Sequence, residues 1–176
     1  MDSTSLEMPF GKIKFFLTLL ACSFTFSCAV AQAVVLSGAD RILEDPYLDW
    51  IRGKRVGLIT NPTGVTSQLV STWELLAQHR EVEVVALFGP EHGIRGQAQA
   101  GDHVSDYGTV YSLYGDHRAP TAEMLEDVEV LIYDIQDVGV RFYTYISTMY
   151  LSMQAAAKKS IPFIVLDRPN PIGGSR

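Results

Sequence analysis

Val82-Glu83-Val84-Val85-Ala86-Leu87-Phe88-Gly89-Pro90-Glu91-His92-Gly93-Ile94-Arg95-Gly96 is an apolar run that empties into a glycine-rich loop. Val82 to Phe88 is short, largely apolar and bounded by turn signals, which marks a buried strand. The loop sets one acid, one imidazole and one guanidinium among three glycines and a proline. Gly permits positive φ and close backbone approach, while Pro fixes its own φ and restrains its predecessor, so such a loop has a defined shape. Open α/β sheets bind their ligands at the carboxyl ends of strands, and this loop stands at one. The competing reading is a tight surface turn with solvated charges, and the rest of the chain decides between the two.

Outward from that stretch the same pattern recurs. Arg55-Val56-Gly57-Leu58-Ile59-Thr60 is a buried strand that ends in the turn Asn61-Pro62-Thr63-Gly64, where Asn61 is either a ligand-facing amide or simple turn chemistry. Val70 to His79 reads as a helix with Val70, Trp73, Leu76 and Ala77 on one face. Gln97 to Tyr111 is polar and without period, and long connections of this kind are often functional loops. Tyr111 to Gly115 is a short strand or a substrate-facing aromatic edge. Thr121 is a candidate N-cap for a helix carrying Met124 and Leu125 inward.

Val128 to Ile135 is a third apolar strand. It discharges Asp134, Gln136, Asp137, Arg141, Tyr143 and Tyr145. Alternation along an extended strand puts Asp134 and Gln136 on one side and Asp137 on the other. The bland alternative for Asp137 is an ion pair with Arg141 or a helix N-cap. Tyr145 to Lys159 reads as a helix packing Met149, Met153 and Ala156-Ala157 on the sheet. Pro162 to Leu166 is a fourth strand, followed by Asp167-Arg168-Pro169-Asn170-Pro171-Ile172-Gly173-Gly174. Ahead of all these, Ser37 to Arg52 reads as a helix interrupted at Pro46, with Ile42, Leu43, Leu48 and Ile51 as its buried stripe.

The order is βαβαβαβ, which predicts an α/β fold: a doubly wound, mostly parallel sheet with helices on both faces. No GxGxxG follows the first strand, and the chain has no Walker A loop, G-x-S-x-G elbow or HExxH pair, so the common motifs for dinucleotide, nucleotide, serine-hydrolase and zinc-protease chemistry are missing.

Composition narrows the field further. The 176 residues carry a formal net charge of −6 with no basic cluster, which argues against nucleic acid as a partner. Lys12 and Lys14 precede an apolar stretch from Phe15 to Val30 and small residues at 29–33, the plan of a secretory signal. Residues 1–33 are therefore expected to be a signal peptide directing the protein to the periplasm or outside the cell, with the domain spanning 34–176. Both cysteines, Cys22 and Cys28, fall inside that segment. Leu19-Leu20-Ala21-Cys22 has a lipobox-like look, so a lipoprotein anchored to the membrane at Cys22 is the minority alternative. Without such an anchor the mature domain has no thiol and no disulfide.

Four strand ends then carry Asn61; Glu91, His92 and Arg95; Asp134, Gln136, Asp137, Arg141 and Tyr143; and Asp167, Arg168 and Asn170. All should open on one rim. Carboxylates, arginines and amides together suit glycoside hydrolysis, in which one carboxylic acid protonates the leaving oxygen and a second carboxylate attacks or activates water. They also suit metal-assisted hydrolysis with Glu91, His92, Asp134 and Asp137 as ligands, although the spacing matches no metal motif. A non-catalytic module binding cell-wall glycan is the third alternative.

Gly57–Gly64, Gly89–Gly96, Tyr133–Tyr145 and Asp167–Gly174 stand in order and closely resemble the exo-β-N-acetylmuramidase family NamZ, formerly a domain of unknown function. The resemblance covers essentially the whole chain after the leader. It implies a Rossmann-like N-terminal catalytic domain, and the family's smaller C-terminal domain is absent from these residues. It further implies release of N-acetylmuramic acid from the non-reducing ends of peptidoglycan-derived glycans, with no cofactor and no metal. Glu91 then maps to the favoured catalytic acid, with His92 tuning it or binding sugar. Asp134, Asp137 and Asp167 remain candidates for the second carboxylate. The lactyl carboxylate of muramic acid would give Arg95, Arg141 or Arg168 a reason to be present. Asn61, Gln136, Tyr143, Asp167 and Asn170 would complete the substrate contacts.

Overall fold

Five short runs pair side by side in a computed structural model that describes residues 35–90, 93–94 and 108–173. They are β1 (Arg55–Thr60), β2 (Glu83–Gly89), β3 (Thr109–Ser112), β4 (Val130–Asp134) and β5 (Phe163–Val165), in the spatial order β3-β2-β1-β4-β5. Every pairing is parallel. The expected α/β, Rossmann-like fold is therefore what the chain forms.

Alternation along the strands divides the core in two. Val56, Leu58, Leu87, Val130 and Ile132 face one side with Ile42, Trp73 and Leu76, while Ile59, Phe88, Leu131 and Tyr133 face the other with Leu125 and Ala156. Two helices serve the first side: α1 (Gly38–Arg41) and α2 (Thr72–Ala77). The second side is covered by α3 (Tyr145–Lys158) and the turns at 122–127. Covering helices thus change face where the strand order turns back, between β1 and β4. In sheets of this kind the crevice at that reversal is where ligands bind.

Several local expectations change. Residues 37–52 do not make one interrupted helix: α1 lasts one turn, and Leu48–Trp50 forms a separate 3₁₀ turn beyond Pro46. The expected stripe is nonetheless inward, with Ile42, Leu48 and Ile51 all buried. α1 is held by a capping box, in which Ser37 and Asp40 bond reciprocally. α2 starts two residues late, leaving Val70 exposed. Met124 and Leu125 lie in turns rather than in a helix, though the Met124 N–H does donate to Thr121 Oγ1 at 3.3 Å. Tyr111 belongs to β3, stacked on Phe88 with ring centroids 5.3 Å apart. On α3 the inward positions are Tyr145, Met149, Ser152 and Ala156, whereas Met153 and Ala157 face outward.

Candidate active site at the switch point

β1 and β4 end together, in register at Thr60 and Asp134. The Thr60 hydroxyl donates to the Asp134 carbonyl at 3.0 Å, and Gly64 folds back so closely that a Cβ there would lie 2.1 Å from Thr60 Oγ1 and 3.0 Å from the Asp134 carbonyl. Only glycine lets the turn after β1 sit against the end of β4. That turn is tied internally by Asn61, whose Oδ1 accepts from the Thr63 N–H at 2.9 Å and from its hydroxyl. Asn61 is buried, so its turn role is real. Thr63 Oγ1 in turn accepts from the Gln136 N–H at 2.9 Å, linking the first loop to the third.

Gln136 then reaches across to the fourth loop, its Nε2 donating to the Asp137 carbonyl at 2.7 Å and to the Pro169 carbonyl at 3.2 Å. Gly139 completes the approach. Its φ is +70°, and a Cβ there would lie 2.8 Å from Asn170 Nδ2. The loops after β1, β4 and β5 are thus one hydrogen-bonded rim.

The carboxylates expected there do different things. β4 ends at Asp134, so alternation does not continue to Gln136 and Asp137. Asp134 is fully buried; its Oδ1 accepts from Arg168 Nε at 2.6 Å, and its Oδ2 accepts from Arg168 Nη2 at 2.8 Å and from the Thr72 hydroxyl. A carboxylate so enclosed has no open face for a substrate oxygen, so a catalytic role for Asp134 does not fit this geometry. Asp137 is half-buried and outside any ion pair among the described residues, which removes the pairing with Arg141. Its Oδ1 accepts from the Gly139 N–H at 2.6 Å, leaving Oδ2 open. Asp167 is exposed and caps its neighbour, its Oδ1 accepting from the Arg168 N–H at 2.9 Å.

Asp137, Gly139, Asp167, Arg168 and Asn170 line one cleft of about 300 Å³, floored by Tyr133. Burial pushes the Tyr133 phenol above its ordinary value, and Asp137 adds to the shift, so the group stays protonated; it donates to the Tyr145 carbonyl at 3.0 Å. Asn170 Oδ1 accepts from the Ile172 N–H at 3.1 Å. Arg141 and Tyr143 are exposed at the edge of the rim, Tyr143 stacked on Tyr145 at 5.9 Å. Glu91, His92 and Arg95 lie outside the described residues. The flanks of their loop are visible: the Gly93 N–H donates to the Pro90 carbonyl at 2.9 Å, and Ile94 is buried. Among the described residues no group of three or more His, Cys, Asp or Glu side chains comes together as a metal site, and no helix is long and apolar enough to cross a membrane.

Thr72 and Tyr133 were not expected here. Thr72 carried no signal beyond a helix start, but Tyr133 precedes Asp134 at the end of β4 and its place on the cleft side could have been asked of the pattern.

A parallel sheet with a cleft at its reversal point, where acids, an amide and a guanidinium group stand over walls that include Ile146, Met149 and Leu166, defines a Rossmann-like α/β domain with the crevice in which such sheets bind ligands. Its family follows from comparison. Residues 56–176 match the family model described as exo-beta-N-acetylmuramidase NamZ, N-terminal. The chain belongs to that family. It is 54% identical to the peptidoglycan beta-N-acetylmuramidase NamZ of Bacillus subtilis (strain 168), a match covering 80% of this chain and 35% of that protein. Two solved structures of DUF1343 family proteins from Bacteroides fragilis NCTC 9343 are similar. One is 54% identical with a TM-score of 0.73, covering 80% of this chain and 36% of that one; the other is 34% identical with a TM-score of 0.66, covering 79% and 36%. The chain thus spans about a third of the length of these relatives.

Proposed function

We propose that this domain carries the catalytic cleft of an exo-acting glycosidase that releases N-acetylmuramic acid from the non-reducing ends of peptidoglycan chains or fragments. One observation carries the reading: a chain 54% identical to a peptidoglycan muramidase places two accessible carboxylates, Asp137 and Asp167, in one cleft at the sheet's reversal point. Glycoside hydrolysis needs a proton donor and a second carboxylate across the scissile bond. Glu91, on the loop after β2, is the proposed acid, and His92 and Arg95 are its proposed neighbours. Asp137 is the preferred second carboxylate, because it has an oxygen without a partner among the described residues and Asp134 does not. Arg141, exposed at the rim, is the preferred partner for the lactyl carboxylate, which Arg168, already neutralised by Asp134, would attract less. Asn61, Gln136, Tyr143 and Asn170 shape the sugar site. The substrate lies outside the cytoplasmic membrane, which is consistent with export through residues 1–33.

The test is sugar release from a chromogenic N-acetylmuramic acid glycoside. Glu91→Gln should lower kcat by roughly 10²–10⁴-fold, the ordinary contribution of general acid catalysis. Wild-type turnover in that variant would remove Glu91 from the mechanism. Binding of muropeptides without any sugar release by the wild type would make the domain a glycan-binding module instead, and loss of activity in EDTA would restore the metal-assisted alternative.

A further inference from the structure

Asp134 and Arg168 raise a question that stability does not answer. Both side chains are almost wholly withdrawn from water, at 0% and 9% exposure, and they meet in a two-pronged pair. Desolvating two charges is costly, and replacing such a pair with apolar side chains is often neutral or even stabilising. The pair therefore adds little as an anchor, but it does control geometry and charge. It joins β4 to the loop after β5, and Thr72, itself buried at the start of α2, adds a third bond to the same carboxylate. Three elements thus hold one guanidinium still.

The held group faces the ligand space. Arg168 lines the 300 Å³ cleft and also a second cavity of about 440 Å³ on the other side of β5. Asp134 takes its Nε and one Nη2 proton, and Nη1 has no partner among the described residues. The pair's charges cancel. What remains is a rigid donor without net charge, suited to a hydroxyl or acetamido carbonyl oxygen rather than to an anion.

We propose that Asp134 and Thr72 are positioning residues that neutralise and aim Arg168, and that Arg168 Nη1 donates to a neutral oxygen of the bound sugar. The inference rests on the muramidase reading and deepens it by separating this donor from the anion anchor. An oxygen shared by N-acetylmuramic acid and N-acetylglucosamine is its target, so loss of the donor must weaken both sugars alike.

Titration of the protein with each monosaccharide, followed by calorimetry and by the Arg168 Nε–Hε resonance, tests this. Arg168→Lys should weaken both sugars by the same factor, about five-fold or more, as expected for a lost hydrogen bond to a neutral oxygen. Thr72→Val should weaken both several-fold and speed exchange of the Arg168 Nε–Hε proton, with Thr72→Ser restoring both. The charge-free pair Asp134→Leu/Arg168→Met guards against misfolding: it should melt near wild type yet bind both sugars as weakly as Arg168→Lys. Wild-type affinity in that double variant, or a loss confined to N-acetylmuramic acid in Arg168→Lys, overturns the inference while leaving the muramidase reading intact. Failure of the wild type to bind either sugar also overturns the inference, while sugar release from the chromogenic glycoside decides the muramidase reading separately.

Discussion

Asp40, half-buried at the first turn of α1, gathers three hydrogen bonds on its carboxylate. Its Oδ2 accepts from the Ser37 N–H at 2.9 Å and from the Ser37 hydroxyl at 2.7 Å, and its Oδ1 accepts from the Ser67 N–H at 2.7 Å. Partial burial pushes its pKa upward, but the bonds from Ser67 and Ser37 outweigh that and bring it from 3.8 down to about 2. The folded value lies below the unfolded one, so the fold favours the ionised form. Its contribution is complete above the unfolded pKa and disappears as pH falls through about 2. Asp40→Asn should therefore cost roughly 1 kcal/mol at pH 7, after allowance for solvent screening, and nothing at the acid end. Urea unfolding at pH 7, 4 and 2 reads this directly; a cost that stays constant across the series would mean that the carboxylate's charge is not what matters. The contact also bears on the cleft, because the neighbouring Gly38 N–H donates to the Asp167 carbonyl at 2.8 Å.

Among the elements, β4 carries the largest share of the core. All five of its residues are buried, since neighbours β1 and β5 flank it and both faces are covered. Leu131→Ala, on the α3 side, should cost about 2–5 kcal/mol in chemical denaturation without a change in m-value, the range for a core truncation that leaves a cavity. A cost near zero would mean that α3 does not close over the strand. β1, β2, β4 and β5 were readable because each lies in an apolar run between turn signals, a pattern that sheet packing imposes directly. β3 was readable only as one of two alternatives, because an edge strand with just Val110 buried leaves little periodic trace. Helical stretches fared worse. Ser152 is buried on α3 where a polar residue signals exposure, and this displaced the expected inward face toward Met153. The segment 37–52 buries the expected residues through two short turns, since inward placement can be met without a continuous helix.

At the scale of the whole molecule, the sheet has two unlike ends. The carboxyl ends of β1, β4 and β5 hold the cleft and its bonded loops. That the loops after β1, β4 and β5 meet there was readable, because parallel topology sends every strand's exit to the same rim. Their division of labour was not: Asp134 and Arg168 are 34 positions apart, and only packing reveals that one sequesters the other. At the amino ends stands a different set of charges. Arg55 Nη1 meets Asp127 at 2.9 Å and its Nε meets Glu129 at 3.5 Å, while Arg52 pairs with Asp49 and Glu81, all with side chains substantially exposed. Exposed pairs of this kind contribute little, since water screens them and ordering long side chains costs entropy. The sheet's length separates them from the cleft, and no hydrogen-bonded chain joins the two ends among the described residues. Arg55→Met should therefore leave kcat/KM for the muramic acid glycoside within about two-fold of wild type and the Tm within about 3 °C. Parallel assays of initial rate and thermal unfolding on this one variant check both halves. A ten-fold loss of activity at unchanged Tm would show that the amino-end charges act on the cleft through the sheet, and the separation of scaffold from site drawn from the topology would fail.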